Sequence, residues 1–261
     1  MARATLVVVV LLLAVAGRAA AQPPQGIVRP ENEDRLSLRQ LGEQLYAGNC
    51  STCHGIDGRG VGSASRRGAG DLEGRGPSLR GVGALAADFY LRTGYMPLGS
   101  ADEQPQRSEP LFDEREIRAL VDYVGSLGGG PPVPEPRPED GSVSEGLTLF
   151  TEHCAGCHQV AAQGGIAPGA RVPPLEDATP TQVAEAVRVG PYVMPRFGEK
   201  DISDAELDSI ARYVQYAQHP EDRGGWAIGN VGPVPEGMVT WFIAATLFLA
   251  FCIVIGQRLR T

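Results

Sequence analysis

The spacing of apolar residues along the chain predicts two similar sets of helices. Leu38, Leu41 and Leu45 recur at intervals of three and four from near position 35, the period of a helix with one buried face. Similar faces follow over Asp113 to Leu127 and over Asp204 to Gln218. Few segments alternate strictly between apolar and polar residues, as half-buried strands do. The pattern therefore predicts a mainly α-helical fold.

The longest uncharged apolar run lies near the C-terminus. Residues 238–256 would form a helix of about 28 Å at 1.5 Å per residue, long enough to cross a bilayer. Arg258 and Arg260 follow directly, and by the positive-inside rule they indicate a cytoplasmic C-terminus. Trp241 suits the outer interface. We predict a single-pass protein of the cell membrane whose main body lies on the outer face.

A shorter apolar run opens the chain. Thr5 to Gly17 is apolar after one early arginine, and small residues precede Gln22. Residues 1–21 therefore predict a signal peptide, because the run is shorter than the ~20 residues of a membrane span. An uncleaved anchor remains the alternative. In both cases the body of the protein is exported.

Glycine and proline divide the rest of the chain. The 261 residues include 34 Gly and 21 Pro, concentrated in segments that predict linkers. The predicted organisation is domain 1 at 35–128, a linker at 129–141, domain 2 at 142–219, a linker at 220–237 and a transmembrane helix at 238–256. The net charge of −8 gives no indication of nucleic-acid binding.

Each predicted domain contains one Cys-x-x-Cys-His pentapeptide. The residues that form them are Cys50, Cys53 and His54, and then Cys154, Cys157 and His158. This is the signature of covalent haem c attachment, in which two thiols add to the porphyrin vinyl groups and the histidine binds the iron. Two copies predict two covalently bound haems c. A four-cysteine zinc site and a thioredoxin-like redox pair are the alternatives.

Methionine provides the candidate second axial ligands. Met96 and Met194 each precede a proline, once per domain, and lie 42 and 36 residues after the histidines. A low-spin haem that carries electrons uses His/Met ligation in cytochromes c. The alternative is that both methionines fill gaps in a core. His153 and His219 are interpreted as surface residues, and Cys252 as an apolar helix residue.

The repeat extends beyond the pentapeptides. Gly42, Tyr46 and Cys50 are spaced four apart, and Gly146, Phe150 and Cys154 repeat the series. A Gly-rich stretch from Gly55 to Gly76 predicts a loop around the first haem. Pro77 and Pro173 follow their histidines, and each could offer a carbonyl to the imidazole N–H or be an ordinary turn proline.

These motifs together resemble class I cytochrome c domains. More narrowly, two such domains followed by Gly-Pro-Val-Pro-Glu-Gly at 232–237 and one C-terminal membrane helix are similar to the dihaem cytochrome c subunit of the actinobacterial cytochrome bc complex. The resemblance implies two tandem cytochrome c domains plus the transmembrane helix. It also implies that Cys50, Cys53, Cys154 and Cys157 hold two haems, with His54 and Met96, and His158 and Met194, as axial ligands.

The resemblance further implies a respiratory role. The family is a menaquinol-oxidising reductase with cytochrome b and Rieske iron–sulfur subunits, coupled to a haem-copper oxidase. The chain would then be an electron carrier within an enzyme complex, with no bond chemistry of its own. An electron-accepting subunit of a periplasmic dehydrogenase and a dihaem peroxidase are the alternatives.

Overall fold

The computed structural model describes residues 26–61, 76–98, 104–220 and 233–259. The predicted signal peptide and much of the predicted loop at 55–76 lie outside these residues. The described helices and strands are α1 (Leu38–Asn49), α2 (Ser51–His54), α3 (Gly83–Arg92), α4 (Glu114–Gly125), α5 (Val143–His153), α6 (Ala155–His158), β1 (Gly165–Ala167), β2 (Ala170–Val172), α7 (Pro180–Val189), α8 (Asp204–Gln218) and α9 (Pro233–Arg258).

The first helical unit is built on the crossing of α1 and α4. Ser37 caps α1 and exchanges hydrogen bonds with Gln40, so the helix begins at Leu38 and not near position 35. Leu41 and Leu45 are fully buried, whereas Leu38 is 43% exposed because it lies in the first turn, outside the core. The predicted buried face is therefore correct for two of its three leucines.

Glycine permits the close approach of these two helices. A Cβ on Gly42 would overlap the carbonyl oxygen of Ala119 in α4. The second unit repeats this arrangement, since a Cβ on Gly146 in α5 would overlap the carbonyl oxygen of Ser209 in α8. The matching positions predicted from the sequence thus correspond to the same helix crossing in each unit.

Four elements were not predicted from the apolar pattern. Helices α3 and α7 are short, and β1 and β2 form an antiparallel hairpin in which Gly165 pairs with Val172. Gly169 adopts a positive φ of 83° in the connecting turn. In β2 only Ala170 and Val172 are buried, on either side of exposed Arg171, so the alternation is too short to identify a strand.

The two units contact each other at a seam, formed by α3, α7 and residues 104–107. The side chain of Gln104 exchanges two hydrogen bonds with the backbone of Arg171, at 2.8 and 3.0 Å. Arg107 donates to the Asp177 carbonyl at 2.8 Å and to the Gln182 side chain at 2.9 Å. Residues distant in sequence thus join the units directly.

The predicted linker at 129–141 packs along both units. The Leu85 N–H donates to the Pro131 carbonyl at 3.2 Å, which attaches the linker to α3. The Arg137 N–H donates to Asp208 at 2.7 Å, which attaches its other end to α8. The linker is therefore held against the protein at both ends.

Helix α9 has no apolar partner within the described part of the chain. Residues Gly237–Arg258 are long and apolar enough to cross a membrane, and none of this stretch is buried. Trp241, Phe242 and Leu247 are 77%, 68% and 65% exposed. An unburied apolar surface of this extent needs lipid or another protein to cover it.

Candidate haem sites

Each Cys-x-x-Cys-His pentapeptide forms one tight helical turn after a longer helix. Cys50 ends α1 and begins α2, and its carbonyl accepts hydrogen bonds from the N–H groups of Cys53 at 3.1 Å and His54 at 2.9 Å. Cys154 makes the same bonds with Cys157 at 3.0 Å and His158 at 2.9 Å. The repeat in sequence is thus a repeat in backbone geometry.

Both histidine rings are oriented by a proline carbonyl. Nδ1 of His54 lies 2.8 Å from the oxygen of Pro77, and Nδ1 of His158 lies 3.2 Å from that of Pro173. A carbonyl only accepts, so Nδ1 must donate, and the lone pair is left on Nε2. Burial lowers the pKa of both histidines. The imidazoles are therefore neutral at neutral pH, as an iron ligand must be.

The first cavity contains three of the four residues predicted for the first haem. It has a volume of about 650 Å³ and is lined by Cys50, His54 and Met96 among apolar side chains such as Leu79 and Leu91. Cys53 is exposed on the adjoining turn. Volumes of ~300–1,000 Å³ are usual for cofactor pockets. A neutral histidine, a thioether and a thiol on an apolar cavity fit a covalently attached haem.

The second cavity contains all four residues predicted for the second haem. It has a volume of about 360 Å³ and is lined by Cys154, Cys157, His158 and Met194, with apolar residues around them. Met194 is half-buried and also packs against the core. Both methionines predicted as ligands thus border the cavity of their own histidine.

The structure gives no support for the two alternatives based on thiol chemistry. Burial raises the pKa of the Cys50 thiol to about 12 and that of Cys154 to about 11, whereas a redox-active pair needs a lowered pKa. The two cysteine pairs lie at different cavities, with Cys53 on the turn beside the first, and among the described residues they form no common group of metal ligands. Among the described residues, the one group of three clustered metal-ligating side chains is acidic: Glu33, Asp113 and Glu116.

A common set of side chains separates the two cavities. Tyr95, Pro105, Pro191 and Tyr192 line both of them, and we refer to these four residues as the shared wall. Tyr192 has φ of 56°, a conformation that costs about 1 kcal/mol or more for a residue with a Cβ. The surrounding structure therefore holds the backbone of Tyr192 in a conformation that this residue rarely adopts.

The residues of the shared wall have no recognisable motif in the sequence. Tyr95 directly precedes Met96, and Tyr192 precedes Met194 by two residues, which places both near the predicted ligands. Both tyrosines lie near the other domain because the two units meet at the seam. No local pattern in the sequence indicates that contact. Arg188 and Arg196 of the second unit also line the first cavity.

The histidines interpreted as surface residues are exposed. His219 ends α8, and His153 lies at the end of α5, where its ring contacts that of Phe197 at 5.7 Å between centroids. His153 also borders the second cavity. Cys252 is exposed on α9.

Comparison with known proteins extends these observations. The family model "Cytochrome c" matches residues 40–128, and the model "Cytochrome C oxidase, cbb3-type, subunit III" matches residues 141–214. The cytochrome bc1 complex cytochrome c subunit of Mycobacterium tuberculosis is 34% identical over 96% of this chain and 90% of its own length. The chain belongs to the family of cytochrome bc1 complex cytochrome c subunits.

A second relative agrees with this assignment, and a more distant one is an oxidase subunit. The bc1 complex cytochrome c subunit of Corynebacterium diphtheriae is 32% identical over 91% of this chain and 87% of its own length. A cbb3-type cytochrome c oxidase subunit of an Azospirillum species is 27% identical, over 70% of this chain and 64% of its own. Family membership confirms the predicted fold of two cytochrome c domains with one candidate C-terminal span. It also confirms a membrane-anchored haem c protein that carries electrons.

Proposed function

We propose that this chain relays electrons from a Rieske iron–sulfur centre to a haem-copper oxidase, as a subunit of a quinol-oxidising complex that also contains cytochrome b. Two covalently bound haems c would supply reversible one-electron chemistry. The relatives are named as subunits of the bc1 complex, which supports the assignment to such a complex. The source and the destination of the electrons are part of the proposal.

The protein residues would hold the two haems in equivalent ways. Cys50 and Cys53 would attach the first haem, and His54 and Met96 would bind its iron. The second haem would be held in the same way, with two thiols for attachment and two iron ligands: Cys154, Cys157, His158 and Met194. The proline carbonyls fix the imidazole planes. If Met96 and Met194 bind the irons together with the histidines, they would leave no open site for peroxide, which argues against a peroxidase.

The shared wall is the observation that best supports electron transfer between two haems within one chain. Because four residues line both cavities, the sites adjoin and no diffusing carrier is needed between them. The hydrogen bonds that Gln104 and Arg107 make across the seam support a fixed arrangement of the two sites. An isolated carrier needs only one such site.

Helix α9 supports a fixed position at the membrane. Its exposed apolar surface suits a single span, and Arg258 in its last turn agrees with a cytoplasmic end. The haem domains would then face the outer side, where quinol-derived electrons are delivered.

Purification of the complex tests the proposal. The tagged full-length chain is isolated from membranes of its host in mild detergent, and its partners and haem content are identified by mass spectrometry. We expect cytochrome b, a Rieske protein and oxidase subunits, with two haems per chain. The Cys50→Ala/Cys53→Ala variant should retain one haem. Recovery with a periplasmic dehydrogenase instead would contradict the proposal, as would peroxide reduction by the purified chain.

A further inference from the structure

Glu185 is a buried carboxyl group without a hydrogen-bond donor. It lies on α7 at the seam, its side chain is fully buried, and neither carboxyl oxygen accepts a hydrogen bond from any donor in the described part of the chain. Burying an ionised carboxylate without a donor or a cation is strongly unfavourable. The arrangement is reasonable only if Glu185 carries a proton.

The group that faces Glu185 is another carboxyl, from the other domain. Asp88 on α3 lies close enough to form a hydrogen bond with Glu185 when one of the two is protonated. Both oxygens of Asp88 accept from Nε of Arg92, at 2.9 and 2.8 Å. Asp88 therefore accepts hydrogen bonds from a cation, and its oxygens can also act as the acceptor for a Glu185 hydroxyl.

The nearby cation is already shared. The two terminal nitrogens of Arg92 donate to Glu114 at 2.6 and 3.0 Å, so its donors point to Asp88 and Glu114 and none points to Glu185. Two other cations on or against α7 already have hydrogen-bond partners. They are Arg107, which donates to Asp177 and Gln182, and Arg188, which pairs with Asp204 of α8 at 2.7 Å.

The electrostatics agree with this geometry. Burial is the main cause that raises the pKa of Glu185, the neighbouring Asp88 adds to the rise, Arg92 opposes it, and the resulting pKa is about 9. Two carboxyl groups that share one site cannot both ionise easily. At neutral pH the pair therefore holds one proton, and the Glu185 hydroxyl donates to Asp88.

We propose that Asp88 and Glu185 form a proton-binding site at the seam, in which one proton shared between the two domains holds α3 against α7. This goes beyond electron transfer, because the same interface that brings the haem cavities together then binds hydrogen ions. Its test does not depend on the identity of any redox partner.

Infrared spectroscopy of the full-length protein in detergent tests the site. The carbonyl stretch of a buried carboxylic acid should be present at pH 7, disappear in Glu185→Gln, and persist in Glu199→Gln, a matched change at an exposed glutamate. The band should decrease with a midpoint near pH 9. Identical spectra of the wild type and Glu185→Gln at pH 7 would overturn the proposal.

The Asp88→Asn variant tests whether Glu185 keeps its proton because it shares it with Asp88 or only because it is buried. The asparagine amide can donate to an ionised Glu185 and removes the like charge, so the band should titrate at a lower pH. An unmoved midpoint would overturn the pairing of the two carboxyls.

The pH dependence of the unfolding equilibrium provides a second test, and the direction of its change is predicted. The folded protein holds a proton that the unfolded chain loses above about pH 4.5, so the contribution of Glu185 to stability falls as the pH rises towards 9. The unfolding constant of the wild type relative to Glu185→Gln should rise by up to about tenfold per pH unit in this range. A constant ratio would contradict the site.

Discussion

At the scale of single residues, the two methionines that border the cavities are the most informative residues to change. Met96 and Met194 border the cavities of His54 and His158, and two further methionines lie elsewhere in the chain. Because each cavity is lined by one of these two methionines, each substitution should change the iron ligands of one haem.

We predict that Met96→His or Met194→His lowers the midpoint potential of its own haem, because imidazole favours ferric iron more than a thioether does. Each change should remove about half of the thioether–iron charge-transfer absorption, since one of two sites is altered. Met238→Leu, on α9, is the control and should leave the band intact. A band that survives both histidine substitutions would refute these ligand assignments.

Two tyrosine hydroxyls make equivalent contacts near the attachment turns. The hydroxyl of Tyr46 donates to the Gly55 carbonyl at 2.8 Å, and that of Tyr213 donates to the Val160 carbonyl at 2.6 Å. Each fixes the chain just after a predicted iron-binding histidine.

We predict that Tyr46→Phe or Tyr213→Phe destabilises the protein by about 1 kcal/mol, because each buried tyrosine side chain loses its hydrogen bond to a backbone carbonyl. Chemical denaturation followed by circular dichroism measures the change. Tyr216→Phe, at a residue that is 40% exposed, should remain within about 0.5 kcal/mol of the wild type. Equal effects at all three positions would argue against these hydrogen bonds.

At the scale of elements, the two helix crossings explain why glycine occurs at matching positions. Gly42 and Gly146 leave no room for a Cβ, whereas a Cβ on Gly125 in α4 would meet its nearest atom at 3.5 Å, an ordinary contact. Three helical glycines therefore separate into two that the packing requires and one that it tolerates.

We predict that Gly42→Ala or Gly146→Ala destabilises its own domain by about 1–3 kcal/mol, because the helices must move apart. Gly125→Ala should be neutral or stabilising by up to about 1 kcal/mol, because alanine is the better helix former. Thermal unfolding of the three variants compares them directly. A loss at Gly125 as large as that at Gly42 would contradict the crossing geometry.

The sequence was sufficient to predict those features that depend on residues close together in the chain. The capped helices, the attachment turns and the apolar span each follow from residues close together in the chain, and Pro77 and Pro173 could be proposed from their place after the histidines. Helices α3 and α7 were missed because they are short and lie against the other domain. The shared wall and the Asp88–Glu185 pair depend on contacts between residues far apart, which no local pattern indicates.

At the scale of the whole molecule, α9 determines whether the protein is a fixed relay or a mobile carrier. The haem domains contain their own buried cores, and α9 adds no apolar contact to either core. Its removal should therefore change where the protein is located and not how it folds.

We predict that truncation after Gln218 gives a soluble dihaem protein with an unchanged absorption spectrum. Quinol-dependent oxygen consumption should fall by about tenfold or more, because tethering supplies a high effective concentration. Oxygen uptake by membranes from cells with matched expression measures this. An unrelated transmembrane helix fused after Gln218 should restore much of the activity, and full respiration by the truncated form would indicate a mobile carrier.

The shared wall has a consequence for how this protein can change over generations. A substitution at Tyr95, Pro105, Pro191 or Tyr192 alters the surroundings of two cofactor sites at once, so one domain cannot drift there without affecting the other. Although the two halves of the chain repeat each other, selection must act on these positions jointly. We expect variants at these four positions to be inherited in matched combinations, while the outer surfaces of the two domains diverge freely.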